Sequence, residues 1–216
     1  MTQDTQLHAQ ISQRLLTELP RFFGGFEQAL GELFQNCYRA GAQNVAVIYD
    51  PAKHTLILVD NGAGLDDPQK LLTAGETGWD ETRVIEPAGV GAFAILRDEF
   101  TTRIEYVSHG AGDWEMILTP AILYGEAARV KWISNPTHAT GLSVKLSLQP
   151  SIELTEQLIC RARGFYPFQV QWTTSQATPA EDHAEWKTIE PDRPRTPDLT
   201  LETPVGVFEW TRWRST

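Results

Sequence analysis

Residues 30–42 read LGELFQNCYRAGA, and residues 59–65 read VDNGAGL. The first stretch belongs to an amphipathic pattern that runs from about residue 26 to residue 40 and predicts a helix. Its apolar residues recur at helical spacing and fall on one side: Phe26, Leu30, Leu33, Phe34 and Cys37. Gly41 is a natural C-terminal stop for this helix.

The other side of the predicted helix carries Glu32 and Asn36, which are spaced i, i+4 and therefore share one face. A carboxylate beside an amide oxygen is what a site needs to orient a water molecule and to bind a hard cation. Both residue types are also ordinary on a solvent-exposed helix. The pair alone leaves that interpretation open.

The second stretch follows a β-rich run directly and contains Asp60, Gly62 and Gly64. An ionised carboxylate only accepts hydrogen bonds, so it can receive an exocyclic amine such as N6 of adenine. The two glycines allow a base and its sugar to approach the backbone closely. Alone, the stretch is also explained as a glycine-rich turn at the end of a strand.

Two weaker motifs follow further along the chain. Gly89, Val90 and Gly91 open a predicted helix, where free N–H groups without a neighbouring Cβ suit a phosphate. A plain glycine-initiated helix has the same pattern, and the motif is neither a P-loop nor a dinucleotide fingerprint. Thr140 and Gly141 precede a predicted strand, and the threonine hydroxyl can hydrogen-bond a base or a bridging water.

In their order and spacing, these four motifs resemble the nucleotide-binding boxes of the GHKL superfamily of Bergerat-fold ATPases. That superfamily includes gyrase-type topoisomerases, the ninety-kilodalton heat-shock chaperones, histidine kinases and MutL. The resemblance covers about residues 18–173. The helix motif and the sequence GETGWDETRVIEPAGVGAFA at residues 75–94 are most similar to the chaperone and MutL branch.

The resemblance implies a role for each motif. Glu32 is implied as the general base for the attacking water, and Asn36 as a ligand of Mg²⁺ that bridges the phosphates. Asp60 is implied to accept the adenine amine, with Gly62 and Gly64 lining the base and ribose. Gly89, Val90 and Gly91 are implied to cradle the phosphates. Thr140 is implied to support the water network around adenine.

The sequence departs from the family pattern at two positions. Arg39 stands where relatives often carry Asp, and the last box, usually Gly-Thr, reads Gly141-Leu142 with Thr140 on the other side. Relatives also supply a lysine or arginine to the γ-phosphate from a following domain, for which residues 174–216 are too short. We therefore expect that the chain is a fragment or that this cation comes from elsewhere.

The order of helical and strand patterns along the chain predicts an α+β fold. The resemblance implies a Bergerat-type two-layer sandwich, with a mainly antiparallel mixed sheet covered on one face by helices and an ATP lid. An N-terminal helix or arm is expected over residues 1–20 and a lid-like loop over 65–88. Strands are predicted at 44–49, 55–59, 101–108, 114–119, 128–133, 142–148 and 168–173. Further helices are predicted at 89–97 and 152–163.

We predict a nucleotide-binding domain over residues 1–173 and a different organisation beyond it. Five of the 13 prolines lie in residues 174–216, which predicts a linker over about 174–203 and an isolated strand at 205–210. This Pro-rich extension is interpreted as a C-terminal addition or as the start of a downstream domain.

Composition narrows the classes of function. The 216 residues carry a net charge of −10, which disfavours a broad nucleic-acid-binding surface. Two cysteines and five dispersed histidines predict neither a disulfide framework nor a zinc site. The N-terminal sequence lacks a signal-peptide pattern, and no run of ~18 apolar residues occurs, so we expect a cytoplasmic protein without a membrane-spanning helix.

The expected function is Mg²⁺-dependent binding and slow hydrolysis of ATP, with lid closure driving homodimerisation or coupling to an unidentified client protein. A module that binds ATP or ADP and switches partners without turnover is a second interpretation, which the missing cation favours. A DNA-repair or topoisomerase-type ATPase and a histidine-kinase catalytic domain are further alternatives. The acidic charge disfavours the former, and the short segment before the first motif disfavours the latter.

Overall fold

The computed structural model describes residues 13–73, 91–134, 140–174, 186–190, 199–203 and 206–210, the last two ranges for their backbone alone. Eight strands form one open sheet: β1 (Asn44–Asp50), β2 (Thr55–Asp60), β3 (Thr101–His109), β4 (Trp114–Leu118), β5 (Arg129–Trp132), β6 (Gly141–Leu148), β7 (Gln169–Thr174) and β8 (Lys187–Ile189). Their order across the sheet is β5-β4-β3-β6-β2-β1-β7-β8. All neighbours are antiparallel except β1 and β7, which run parallel.

Four α-helices lie within the described residues: α1 (Gln13–Glu18), α2 (Phe26–Arg39), α3 (Gly91–Ala94) and α4 (Glu156–Arg163). The longest, α2, contacts both α3 and α4. Its apolar side is buried, and Leu30 and Phe34 have no exposed surface. Burying one such side chain contributes ~1.5–3 kcal/mol, so α2 is a main source of the core's stability. None of the described helices is long and apolar enough to cross a membrane.

Burial alternates along the central strands, as a sheet with one covered face requires. In β2, Leu56 and Leu58 are buried, whereas Val59 between Leu58 and Asp60 is exposed. On β4, Met116 and Leu118 are buried and Ile117 is 44% exposed. The sequence prediction of an α+β fold with a mainly antiparallel mixed sheet is therefore confirmed.

The strands predicted at 44–49 and 55–59, and those at 101–108 and 114–119, are present and form two hairpins, since β1 pairs with β2 and β3 with β4. The helix predicted over residues 152–163 is shorter, because the side chain of Thr155 accepts a hydrogen bond from the backbone N–H of Leu158 at 3.2 Å and caps α4 there. The helix predicted over 89–97 is described only from Gly91 and ends at Ala94. Residues 89 and 90, and residues 74–88 of the expected lid, lie outside the described part.

The region beyond residue 173 differs from the predicted linker. Lys187–Ile189 extends the sheet as β8, because its backbone pairs with β7 and the guanidinium of Arg163 donates to the carbonyl of Ile189 at 2.7 Å. The strand predicted in isolation is not isolated: β9 (Leu199–Thr203) and β10 (Gly206–Trp210) form an antiparallel pair. The eight-stranded sheet thus includes a strand that lies beyond residue 173.

Candidate functional site

A cleft lies between α2 and the sheet, where β2 leads into its glycine-rich turn. Its floor comes from β2, β3 and β6: Leu58, Asp60, Tyr106, Leu142 and Val144. One wall comes from α2 and the residue that follows it: Leu33, Asn36, Cys37, Arg39 and Ala40. The other wall comes from the segment after β2 and from the start of α3: Gly64, Leu65, Lys70, Leu71, Gly91 and Ala92.

Strand register arranges the floor in two rows. Leu58, Val144 and Tyr106 lie opposite one another on β2, β6 and β3. One side-chain repeat along the strands, Asp60 and Leu142 form the neighbouring row on the same face. The first row is apolar apart from the tyrosine hydroxyl, and the second row carries the carboxylate. A flat, partly apolar ligand bound on this floor therefore meets one acidic side chain, that of Asp60, at its edge.

Asp60 is 4% exposed, and its carboxylate is held by hydrogen bonds from three sides. The backbone N–H of Gly62 donates to Oδ1 at 2.7 Å, and the backbone N–H of Leu142 and the thiol of Cys37 also hydrogen-bond the carboxylate. Burial raises the pKa of Asp60, and these hydrogen bonds oppose the shift. The carboxylate is thus a fixed acceptor within the cleft.

The glycines of the second motif allow close packing around Asp60. A Cβ on Gly62 would lie 2.7 Å from both the Cβ and the carbonyl oxygen of Ala40 at the end of α2. Gly64 has a φ of +74°, and a Cβ there would meet the carbonyl oxygen of His109 on β3. Both glycines therefore bring the turn after β2 against α2 and β3, and Gly64 also lines the cleft.

Glu32 and Asn36 occupy different parts of the site. Asn36 lines the cleft itself, whereas Glu32 lies one helical turn earlier, where a Cβ on Gly91 would meet its Oε2. Burial raises the pKa of Glu32, and the guanidinium of Arg39 opposes the shift. The structure therefore brings Asn36, Asp60, Gly64 and Gly91 to one cleft and sets Glu32 against Gly91 at its border.

Thr140 does not line the cleft. It is exposed, and its Cγ2 lies 3.0 Å from the position that a Cβ on Gly110 would take. Gly141 has a φ of +132°, so the alternation that puts Leu142 on the cleft floor does not extend back to residue 140. The water network that Thr140 was expected to support therefore stays a prediction, and Leu142, not Thr140, is the residue of this motif region that lines the cleft. Gly89 and Val90 lie outside the described residues.

Among the residues outside the motifs that line the cleft, three have side chains that can hydrogen-bond and were not singled out in the sequence: Cys37, Lys70 and Tyr106. Lys70 reaches it from the 3₁₀ turn Pro68–Leu71, while its ammonium lies 2.8 Å from Oδ1 of Asp66. Cys37 was expected only as part of the apolar stripe, and Tyr106 only as a strand residue. No sequence signal marks Lys70 or Tyr106, because their approach to the cleft depends on strand register and on a loop.

The described part of the cleft combines a buried acidic acceptor, an amide, two cations and an apolar floor. Among the described residues, no group of three or more His, Cys, Asp or Glu side chains could hold a metal ion by itself. No protein-family model matches this chain, and no curated protein matches its sequence. The chemistry of the cleft is therefore the basis for assigning its ligand.

Proposed function

We propose that this chain is a Mg²⁺-dependent ATP-binding and slowly ATP-hydrolysing module of the GHKL type, with a Bergerat-type arrangement closest to the chaperone branch. One observation carries the proposal: Asn36, Asp60, Gly64 and Gly91, from separate segments of the chain, line one cleft. These are residues of three of the four motifs that resemble the family's boxes. Their convergence was not a necessary result of the spacing, so it supports the resemblance.

The floor of the cleft suits an adenine ring. The carboxylate of Asp60 accepts a hydrogen bond from the exocyclic amine, while Leu58, Leu142 and Val144 contact the faces and edges of the ring. A guanine would direct its O6 acceptor at the same carboxylate. Since two acceptors repel each other, the site prefers adenine.

The wall of the cleft suits a triphosphate with Mg²⁺. The donor set fits this ion because Mg²⁺ keeps several waters and takes few protein ligands beside the phosphates, and Asn36 offers one neutral amide oxygen at the cleft wall. An ion held there would neutralise charge on the phosphates. Arg39 and Lys70 add two positive charges within the same chain, which supports phosphate binding without a following domain.

Glu32 is the general base in this proposal. Its burial raises its pKa, which makes the ionised carboxylate a stronger base toward water at neutral pH. The segment that begins at Leu65 forms the ATP lid, and its closure over bound ATP couples the nucleotide to homodimerisation or to a client protein.

A specific observation favours a second candidate, a nucleotide-sensing module without turnover. Arg39 lies close enough to Glu32 to lower its pKa, whereas members of the superfamily that the motifs resemble often carry an acidic residue at that position. A cation beside the base weakens it and also attracts phosphate, so the cleft then binds ATP well and hydrolyses it poorly. This candidate shares the ligand and differs only in catalysis.

Calorimetric titration of ATP with and without Mg²⁺ tests binding, with Asp60→Asn as the cleft variant and Asp50→Asn as a matched control at the other end of the β1–β2 hairpin. We expect binding by the wild type and by Asp50→Asn, and its loss in Asp60→Asn. Equal binding by all three contradicts the assigned cleft.

Phosphate release by Glu32→Ala tests hydrolysis. We expect a loss of 10²-fold or more, the range usual for general bases. Turnover that is measurable but unchanged in the variant excludes Glu32 as the base. ATP binding by the wild type without turnover favours the sensing module.

A further inference from the structure

Tyr106 carries a buried hydroxyl for which the described residues offer no hydrogen-bond partner. The side chain is 1% exposed and lies in the middle of β3, and its Oη has no partner. Three other buried polar atoms of the described residues share this state, on His54, Arg163 and Thr173. Of the four, only Tyr106 lines the cleft.

The neighbouring polar side chains on the same face of the sheet are satisfied. Two residues further along β3, Oγ of Ser108 accepts from the backbone N–H of Leu65 at 2.8 Å and donates to its carbonyl at 3.1 Å. On β4, the indole N–H of Trp114 donates to the same carbonyl at 2.7 Å. Of these three polar side chains, only the hydroxyl of Tyr106 lacks a partner among the described residues, and a buried unpaired hydroxyl destabilises the free protein.

The strand order of the sheet sets the separation between Tyr106 and Asp60 on the cleft floor. The two residues lie in adjacent rows, on strands β3 and β2 that are separated by β6. Two strand spacings amount to about 10 Å, and both side chains project onto the face that the cleft occupies. A flat ligand whose amine contacts Asp60 extends over Leu142 and Val144 toward Tyr106.

We propose that the hydroxyl of Tyr106 is a second base-recognition group, which donates a hydrogen bond to N1 or N7 of the bound purine directly or through one water. This inference rests on the proposed function, since it assumes the adenine nucleotide assigned to the cleft. Asp60 accepts from the amine and Tyr106 donates to an acceptor, so together they read both kinds of polar atom on an adenine ring. The ligand also supplies the partner that the described residues do not offer to the hydroxyl.

The test compares Tyr106→Phe, which removes only the hydroxyl, with Tyr49→Phe as a matched control. Tyr49 is a buried strand tyrosine that stacks on Trp172 and does not line the cleft. Dissociation constants for ATP, 1-deaza-ATP and 7-deaza-ATP are measured by calorimetry for the wild type and both variants, and thermal unfolding is recorded without nucleotide.

We expect Tyr106→Phe to bind ATP about two- to tenfold more weakly, as the loss of one hydrogen bond implies, without a lower melting temperature. One of the two deaza analogues should bind the wild type more weakly by a similar factor, and that loss should vanish in Tyr106→Phe. Tyr49→Phe should bind all three nucleotides like the wild type.

Unchanged ATP affinity in Tyr106→Phe overturns the inference while ATP binding by the wild type upholds the proposed function. Equal sensitivity of the wild type and Tyr106→Phe to both deaza analogues also overturns it, because the hydroxyl then contacts neither nitrogen. A wild-type chain that binds no ATP refutes the proposed function, and the inference falls with it.

Discussion

Oε2 of Glu32 occupies the space that a β-carbon on Gly91 would need. The two residues come from α2 and from the start of α3, so their contact joins the first and third motifs of the sequence. A glycine at residue 91 therefore leaves room for the carboxylate at the border of the cleft. Any larger residue there must push the carboxylate away.

Gly91→Ala should lower ATP turnover by at least about tenfold, since a misplaced catalytic group loses rate steeply with distance. The protein should remain as stable as the wild type, because alanine suits the helical backbone of residue 91 and the flexible end of Glu32 can move. Steady-state phosphate release and thermal unfolding measure the two effects. Gly25→Ala is the control, because a Cβ there meets no atom within 4 Å; equal turnover in Gly91→Ala and Gly25→Ala contradicts the assigned role of the contact.

The pH dependence of turnover should report the state of Glu32. A general base acts when ionised, so turnover at saturating ATP should rise with pH through the pKa of Glu32 and then level off. Burial raises that pKa and Arg39 opposes the shift. Arg39→Gln should therefore move the acidic limb to higher pH, while Arg161→Gln, which removes a guanidinium paired with Glu27, should leave it in place. A limb that moves to lower pH in Arg39→Gln refutes the assignment.

Two glycines with the same φ allow the cost of a left-handed backbone to be distinguished from the cost of a close contact. Gly41 and Gly64 both have a φ of +74°, but a Cβ on Gly41 meets nothing whereas one on Gly64 meets the carbonyl oxygen of His109. Gly41→Ala should cost about 1–2 kcal/mol of unfolding free energy, the cost of a left-handed backbone. Gly64→Ala should cost a further ~1–3 kcal/mol from overpacking. Urea unfolding of both variants measures the difference, and equal losses contradict the close approach.

Much of the fold was predictable because its signals are local. The apolar stripe of α2 and the turns of the β1–β2 and β3–β4 hairpins involve residues close in sequence, and all three elements have the predicted positions within two residues. The addition of β8 was not predictable in this way. It depends on Arg163, whose buried guanidinium donates to the carbonyl of Ile189, 26 residues further along the chain.

The candidate site was predictable only in part. The i, i+4 spacing correctly put Glu32 and Asn36 on neighbouring positions of one helix, yet only Asn36 lines the cleft. One helical turn of rise is enough to separate them, and sequence spacing cannot show which level of the helix faces the floor. Tyr106 was missed for a related reason, because strand register alone sets it opposite Val144.

Arg163 should be a main anchor of the sheet edge. It is 3% exposed and donates to the carbonyl groups of Ile189, Tyr166 and Phe168 at 2.7, 3.0 and 2.6 Å. Arg163→Met should reduce the unfolding free energy by about 3 kcal/mol, since hydrogen bonds of charged groups contribute ~1.5–3 kcal/mol each and the carbonyls lose their donor.

The neighbouring Arg161→Met is the matched control, because its guanidinium is partly exposed and pairs with Glu27. It should cost at most about 1 kcal/mol. Hydrogen exchange should show faster opening of residues 187–189 in Arg163→Met alone. Equal protection of β8 in both variants contradicts the anchoring role.

Asp60 should make the free protein less stable as the pH rises. Burial raises its pKa in the folded state, so the folded protein holds this proton at a pH where the unfolded chain has released it. The unfolded state then binds fewer protons, and the free energy of unfolding falls with pH from the unfolded pKa up to the raised folded pKa. Asp60→Asn removes this titration, so the stability of the wild type minus that of the variant should decline as the pH increases over that range.

Urea unfolding of both proteins from pH 4 to pH 8, without nucleotide, measures this difference. Other carboxylates titrate alike in the wild type and the variant, and their contributions cancel in the subtraction. For Asp50→Asn the difference should be level over most of this range, because Lys53 lowers the pKa of Asp50 and a lowered pKa confines the change in stability to pH values below the unfolded pKa of about 4. If the stability of the wild type minus that of Asp60→Asn instead grows with pH, the three hydrogen bonds of the carboxylate outweigh its burial. The carboxylate then stabilises the free protein and not only its complex with a ligand.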